Sequence, residues 1–224
     1  MLERTNNAGC MPRPARLLEA LRSRTRDLHV QAERSGVIAD ILRGQATRDG
    51  YALLLRNLLP VYHALEEQLT GAVRSPPVRP LVRPELARAA AIREDLNSLA
   101  VDIPALPVLP VTTEYVDAIV RAGMGDGGRL VAHAYARYLG DLSGGQILKR
   151  LLARSLDLLP VELSFYDFSV IDDVQAFKAD YRAAIDRAGD VSEDFDAIVE
   201  EGALAFELNI ALSVALQAEA ARGR

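Results

Sequence analysis

Three glycines and one acid interrupt a segment that otherwise reads as helix. Leu130 to Lys149 runs LVAHAYARYLGDLSGGQILK. Gly140 and Gly144 are four apart, so a helix places them one turn above the other on a single face, with Gly145 beside them. Each interior glycine costs a helix about 1 kcal/mol relative to alanine. A helix that gives up side chains along one face lets something flat and wide approach its backbone, and it can bend there. Asp141 lies beside the bare strip, with Arg137 one turn before it. A carboxylate in that position is suited to handling protons for a reacting group. The same spacing also serves close helix–helix packing with an Asp141–Arg137 salt bridge, and spacing alone weights the two readings equally.

The three histidines are the other candidates. His29 falls on the apolar stripe Leu18, Leu21, Thr25, Leu28 and Ala32. A histidine there is by default a packing or boundary residue. Arg22 lies seven residues earlier on the same face, about 10 Å along the axis, although pattern alone makes it a solvated arginine. His63 sits with Glu66 and Glu67 at spacings that could hold a metal, but the repeated Glu-x-x-His pattern of a di-iron bundle is missing and a solvated face is the better reading. His133 reads as a packing or hydrogen-bonding residue.

Positioning these groups falls to a series of helices. The first is expected from about Pro14 to Glu33, stopping near Gly36. The second starts at a Thr47 cap, runs to about Leu69 and contains Pro60, which should kink it. A third spans about Pro84 to Leu99, and a short one capped by Thr112 ends near Ala122. The glycine-interrupted helix runs from about Arg129 to Leu156. Leu159 to Ile171 is irregular, aromatic and apolar, and should pack on the core. Asp172 or Asp173 opens a helix to about Arg187, and Ser192 caps the last. The sum is an all-α domain over residues 14–224, behind a disordered lead of residues 1–13.

Composition agrees. Half of the 224 residues are hydrophobic, a quarter are charged, aromatics are 5% and tryptophan is absent, a balance that favours helix over sheet. A net charge of −5 without a basic block argues against nucleic acid as a partner. The single Cys10 cannot form an intrachain disulfide, which fits a reduced, cytoplasmic setting. MLERTNNAGCMPRP lacks the apolar stretch of a signal peptide, and no run of 18 apolar residues suggests a membrane span. Ala203 to Leu216, broken by Glu207, Asn209 and Ser213, reads as a buried helix rather than an anchor.

LVAHAYARYLGDLSGGQ resembles the signature of heme oxygenases, with Gly140-Asp141-x-x-Gly144-Gly145 intact. LRSRTRDLHVQAE is similar to that family's proximal-histidine helix, GQATRDGYALLLRNLLPVYHALEE to its second helix, and FKADYRAAID and ALAFELNIAL to its last two, so the resemblance covers about Leu17 to Leu216. It implies a multi-helix bundle that binds heme between the first helix and the glycine-bent one. His29 would ligate the iron and leave the other axial position for O2. Gly140, Gly144 and Gly145 would form the distal wall, with Ser143 bonding back to support the bend. Asp141, with Arg137, would anchor water beside the iron-bound oxygen. Arg22, Tyr135, Lys178 and Arg182 would hold the propionates, and Phe206 and Asn209 would supply wall and network. Thr25 and Glu33 would support His29. Heme would be cofactor and substrate, opened to biliverdin, Fe2+ and CO by a ferric hydroperoxide attacking a meso carbon. Electrons would come from outside, because no dinucleotide fingerprint is present. A ferredoxin or a flavin reductase would dock on Arg13, Arg16, Arg24, Arg26, Lys149 and Arg150, and the protein would act as a monomer.

Two departures accompany the resemblance. Leu59 stands where many relatives are expected to carry a network tyrosine, and Arg22 replaces a frequent lysine while keeping its charge. Two other readings share the helical fold. A heme carrier without turnover would not need Asp141. A thiamin-hydrolysing enzyme would need a nucleophilic cysteine, and the only one lies in the lead.

Overall fold

The computed structural model describes residues 16–99 and 101–222. The lead, with Cys10 and Arg13, and the first residues of the expected opening helix lie outside them. Among the described residues every regular element is helical: α1 (Leu17–Glu33), α2 (Gly36–Leu42), α3 (Arg48–Gly71), α4 (Ala89–Ser98), α5 (Pro110–Ala122), α6 (Leu130–Ala134), α7 (Gln146–Leu156), α8 (Val174–Val191) and α9 (Phe195–Arg222). Between α6 and α7 the chain stays helical but widens into two π-helical stretches, Tyr135–Leu139 and Asp141–Gly145. No helix is long and apolar enough to cross a membrane among the described residues.

The apolar α9 is the axis of the bundle, touching α1, α2, α3, α5 and α6. Its Gly202 lets α1 approach, since a Cβ there would stand 2.6 Å from Leu21 Cδ2. Leu17, Leu18, Leu21 and Thr25 of α1 are buried, the last two against Gly202, each leucine contributing about 1.5–3 kcal/mol. That buried stripe ends at Thr25. Leu28 and Ala32 are only half-buried and His29 is exposed, so the second half of α1 leaves the core.

The short α2 is absent from the sequence reading. Gly36 adopts φ +57°, and a Cβ there would fall 2.2 Å from the Ser213 backbone, so only glycine lets α2 turn onto α9. The Ser213 hydroxyl seals the junction, donating to Ser35 O at 3.0 Å and accepting from Ile38 N at 3.2 Å.

Expected starts hold where the cap is local. Thr47 accepts from Gly50 N, and Asp173 accepts from Gln175 N and Ala176 N, each of the latter at 2.9 Å. Helix α3 continues through Pro60. Other starts differ. Instead of one helix from Pro84, a 3-10 turn (Pro84–Leu86) precedes α4, whose first amides, Arg88 N and Ala89 N, are satisfied by Glu66 of α3. Helix α5 begins at Pro110; Thr112 is buried inside it and donates to Asn57 Oδ1 at 2.6 Å rather than capping. Asp194, not Ser192, caps α9 by accepting from Ala197 N. The 159–171 segment packs as expected through Phe165, Tyr166, Phe168 and Ile171.

Candidate active site

The two π-helical stretches explain how one helix can carry both an open face and a buried acid. Each widened turn shifts the side chains that follow it relative to the core. At Gly140 and Gly144 an added Cβ would meet nothing within 4 Å, so their face is open. Gly145 differs from expectation. An added Cβ would stand 3.2 Å from the Tyr166 ring, so Gly145 is a packing glycine rather than part of an open wall. Ser143 is exposed and makes no backward hydrogen bond among the described residues.

Asp141 turns inward from the same stretch and is 7% exposed. Its Oδ2 accepts a 2.5 Å hydrogen bond from the Tyr62 hydroxyl. That hydroxyl also accepts from Arg137, at 3.0 Å from Nε and 2.8 Å from Nη2. A direct Arg137–Asp141 salt bridge is therefore replaced by a phenol bridge. Arg137 Nη1 donates to Asn209 Oδ1, and Asn209 Nδ2 donates to the Tyr115 hydroxyl at 3.1 Å. The network spans α3, the π-helical stretches, α9 and α5. Burial pushes the Asp141 carboxyl above its ordinary value, against the opposing pull of Arg137, the Tyr62 hydrogen bond and Arg88. Burial likewise pushes the Tyr62 phenol well up. Burial works against the Arg137 charge, but Tyr62, Asp141 and Tyr115 outweigh it and hold the guanidinium firmly protonated.

Tyr62 is the residue that sequence reasoning missed. Leu59, one turn earlier, packs half-buried against the core and takes no part in the network. The signal was available: a tyrosine on the apolar face of a long helix must find a partner for its hydroxyl.

A cavity of about 160 Å³ opens beside this network, lined by Ala32, Leu54, Leu58, Gly140, Asp141 and Phe206, among others. On its other side Phe206 touches the His29 ring, with centroids 5.9 Å apart, and the Tyr135 ring at 6.3 Å. His29 stands exposed at the edge, its Nδ1 3.7 Å from Glu33 Oε1. Thr25 donates to Leu21 O and lies 3.4 Å from the Tyr135 hydroxyl.

The structure thus brings together Asp141, Arg137, Gly140, Phe206 and Asn209, with Gly144, His29 and Tyr135 adjoining. Arg22, Lys178 and Arg182 lie neither in the cavity lining nor among these adjoining residues. Arg22 is exposed. Lys178 is 9% exposed rather than solvated and opens on a second recess, with Ser143, Gln146 and Gln175. Burial and then Arg182 push its ammonium down, and Arg182 Nε is buried without a partner. Both cations are therefore short of an anion. His133 is fully buried, with Nε2 2.9 Å from Glu201 Oε1, as a hydrogen-bonding residue should be. His63 is solvated, 3.8 Å from Glu67, and Glu66 is occupied with α4. No cluster of metal-binding side chains occurs among the described residues. The basic face is reduced too: Arg24 pairs with Glu200 at 2.9 Å, Lys149 pairs with Asp167 at 2.8 Å and Arg16 lies 4.0 Å from Asp186, leaving Arg26 and Arg150 without salt bridges among the described residues.

Comparison with known proteins gives a consistent result. The family described as heme oxygenase matches residues 15–215. Heme oxygenase 1 of Rattus norvegicus is 38% identical over 208 residues, covering 90% of this chain and 72% of the rat protein. The heme oxygenase of Pyropia yezoensis is 38% identical over 197 residues, 87% of this chain and 83% of that one. Among solved structures, heme oxygenase-1 of Synechocystis sp. PCC6803 in complex with heme superposes with a TM-score of 0.85 at 32% identity, covering 93% of this chain and 96% of that one. The Leptospira interrogans heme oxygenase gives 0.83 at 33% identity, over 90% and 100%.

Proposed function

This chain belongs to the heme oxygenase family, and on that premise we propose that its own residues perform the family reaction, oxidative opening of heme to biliverdin with release of iron and CO, in the cleft between His29 and Asp141. The observation that carries the assignment is the pairing of a buried, hydrogen-bonded acid at Asp141 with an adjacent backbone strip, Gly140 and Gly144, that no side chain covers.

The residues fit a heme. A porphyrin is flat and wide, and the open strip at Gly140 and Gly144 offers backbone to lie on. The enclosed cavity, about 160 Å³, is below the roughly 300–1,000 Å³ of ordinary ligand pockets. Most of the ring would therefore lie along the open strip and over the exposed second half of α1. His29 would hold the iron through Nε2, with Glu33 orienting its Nδ1 side. Phe206 would fill the ring's flank. Tyr135, Arg22, Lys178 and Arg182 would receive the two propionates; the last two are cations that still lack an anion.

Bound heme supplies the iron that activates O2 and the ring that is opened. The chain's part is proton control. Tyr62 occupies Asp141 Oδ2, and Arg137 holds the Tyr62 hydroxyl from behind. Asp141 Oδ1 has no hydrogen-bond partner among the described residues and is not one of their sealed polar atoms, so it is the atom that would hold a water toward the cavity. Protons are then delivered through one ordered water rather than freely. Phe206, Leu54 and Leu58 keep bulk water out of the remainder.

Electrons come from an external reductant, a ferredoxin or a flavin reductase, with Arg26 and Arg150 as cations of that face unpaired among the described residues and available for docking. The protein works as a monomer in the cytoplasm. Purified protein mixed with hemin and a reductant under air should yield biliverdin, identified by chromatography. Hemin that binds without bilin formation would leave a carrier, and hemin that does not bind would remove the assignment.

A further inference from the structure

Arg88, between the Pro84–Leu86 turn and α4, is a buried cation with an unusual set of partners. It is 6% exposed. Its guanidinium donates only to carbonyls: Glu85 O at 3.0 Å, Asp167 O at 2.6 Å and Phe165 O at 3.5 Å. It stacks on Phe168, 4.2 Å from the ring centroid, and its Nε has no partner. Among the described residues its guanidinium pairs with no carboxylate; Glu66 meets its backbone N–H instead. A buried arginine normally keeps a carboxylate close, because an unpaired charge in a low dielectric costs several kcal/mol.

What lies beyond Arg88 is the acid of the cleft. Phe165, whose carbonyl Arg88 holds, packs its ring edge-on against Tyr62 at 5.3 Å. Tyr62 donates to Asp141. Tyr166, the next residue, lies under Gly145 beside Asp141. The geometry points to Arg88 as a positioning residue for Asp141: its carbonyl bonds fix the Phe165–Asp167 wall that packs on Tyr62, the donor to Asp141, and its charge acts on that carboxylate. Resting on the function proposed above, this assigns to the turn before α4 a part in the proton chemistry that its position outside the cavity conceals.

Charge is the testable part. The groups facing Asp141 are Arg137 and Tyr138 on its own helix, Tyr62 from α3, Arg88 before α4, Tyr115 from α5 and Tyr166 from the irregular segment, with neutral Asn209 from α9. Only two of these are cations. Removing either leaves one to oppose desolvation.

The experiment follows the Asp141 carboxyl by 13C NMR against pH in the heme-free protein, so it reads independently of whether heme is the substrate. Arg88→Gln should raise the Asp141 midpoint, because one of the two cations opposing desolvation is lost. Arg88→Lys, which keeps the charge but loses the carbonyl grip, should melt lower yet titrate like the parent. An unmoved midpoint in folded Arg88→Gln overturns the proposal. Should Arg88→Gln not fold, Arg88→Lys decides alone: a midpoint displaced by a unit or more there makes Arg88 merely structural and overturns it equally. Failure of hemin turnover with the expected titrations would instead count against the function.

Discussion

Tyr62→Phe is the sharpest test of the network. The substitution keeps the ring, so its packing on Tyr138 and Phe165 stays, and removes one oxygen. That oxygen makes three hydrogen bonds, one to Asp141 at 2.5 Å and two from Arg137 at 3.0 and 2.8 Å. Two buried charges therefore lose a partner together. Hydrogen bonds to charged groups are worth about 1.5–3 kcal/mol each. Arg137 keeps Asn209 and Asp141 keeps its solvent-reachable Oδ1, so we take the low end for each charge, about 3 kcal/mol in all. For a chain of this length that lowers the melting temperature by about 6–12 °C. The functional consequence has a sign. The hydroxyl stabilises the Asp141 anion, so its loss raises an already raised carboxyl further. If catalysis needs the anion, the acid limb of turnover moves to higher pH, by about one unit for each 1.4 kcal/mol of lost stabilisation. Thermal melts and the pH profile of biliverdin formation measure the two effects separately. A melting temperature within about 2 °C of the parent, together with an unmoved acid limb, would refute the bridge.

Three further outcomes are expected. His29→Ala should bind hemin without the imidazole axial signature in its absorption spectrum; an unchanged spectrum rejects His29 as the ligand. Gly144→Leu should fold as well as the parent, because its Cβ points into open space and leucine favours helix by up to about 1 kcal/mol. It should nonetheless lose hemin affinity at least tenfold in a titration, and unaltered affinity would show that the strip is not the binding face. Asp126 should contribute acid-sensitive stability. Burial raises its carboxyl, but hydrogen bonds from Glu193 N, Gly128 N and Ser192 outweigh it and leave it lowered. Its contribution is present above the unfolded value near 3.9 and fades as pH falls through the folded one. Asp126→Ala should melt lower than the parent at pH 7 and converge with it in acid; a constant gap counts against the assignment.

What the sequence made legible follows from where each interaction comes from. The starts of α3 and α8 could be read because Thr47 and Asp173 cap amides two or three residues away. The starts of α4 and α5 could not. Their partners are Glu66 and Asn57, which come from α3 across 22 to 55 residues. The site divides in the same way. Asp141 and its glycines stand in one contiguous stretch whose open face follows from what is missing, and periodicity finds that. The phenol bridge depends on α3 meeting the π-helical stretches with Tyr62 rather than Leu59 inward, a matter of tertiary register. His29 shows the limit of the helical stripe. Spacing made it by default a packing or boundary residue, and the buried stripe ends at Thr25, leaving His29 exposed at the cleft edge with Phe206 of α9 against its ring.

That uncovered half of α1 and the crowded network opposite are linked through α9. Phe206 and Asn209 are three residues apart on one face of that helix. Phe206 touches the His29 ring, while Asn209 holds Arg137 and through it the phenol on Asp141. A rigid helix therefore sets the spacing between the two walls of the cleft with two adjacent side chains. Its own position is fixed in turn by contacts that leave it little freedom: Gly202 against Leu21 below the cleft and Ser213 against Gly36 above it. A larger residue at either contact would shift Phe206 and Asn209 together. The hemin ligation proposed for His29 and the proton delivery proposed for Asp141 would then be disturbed in the same variant, with neither residue changed.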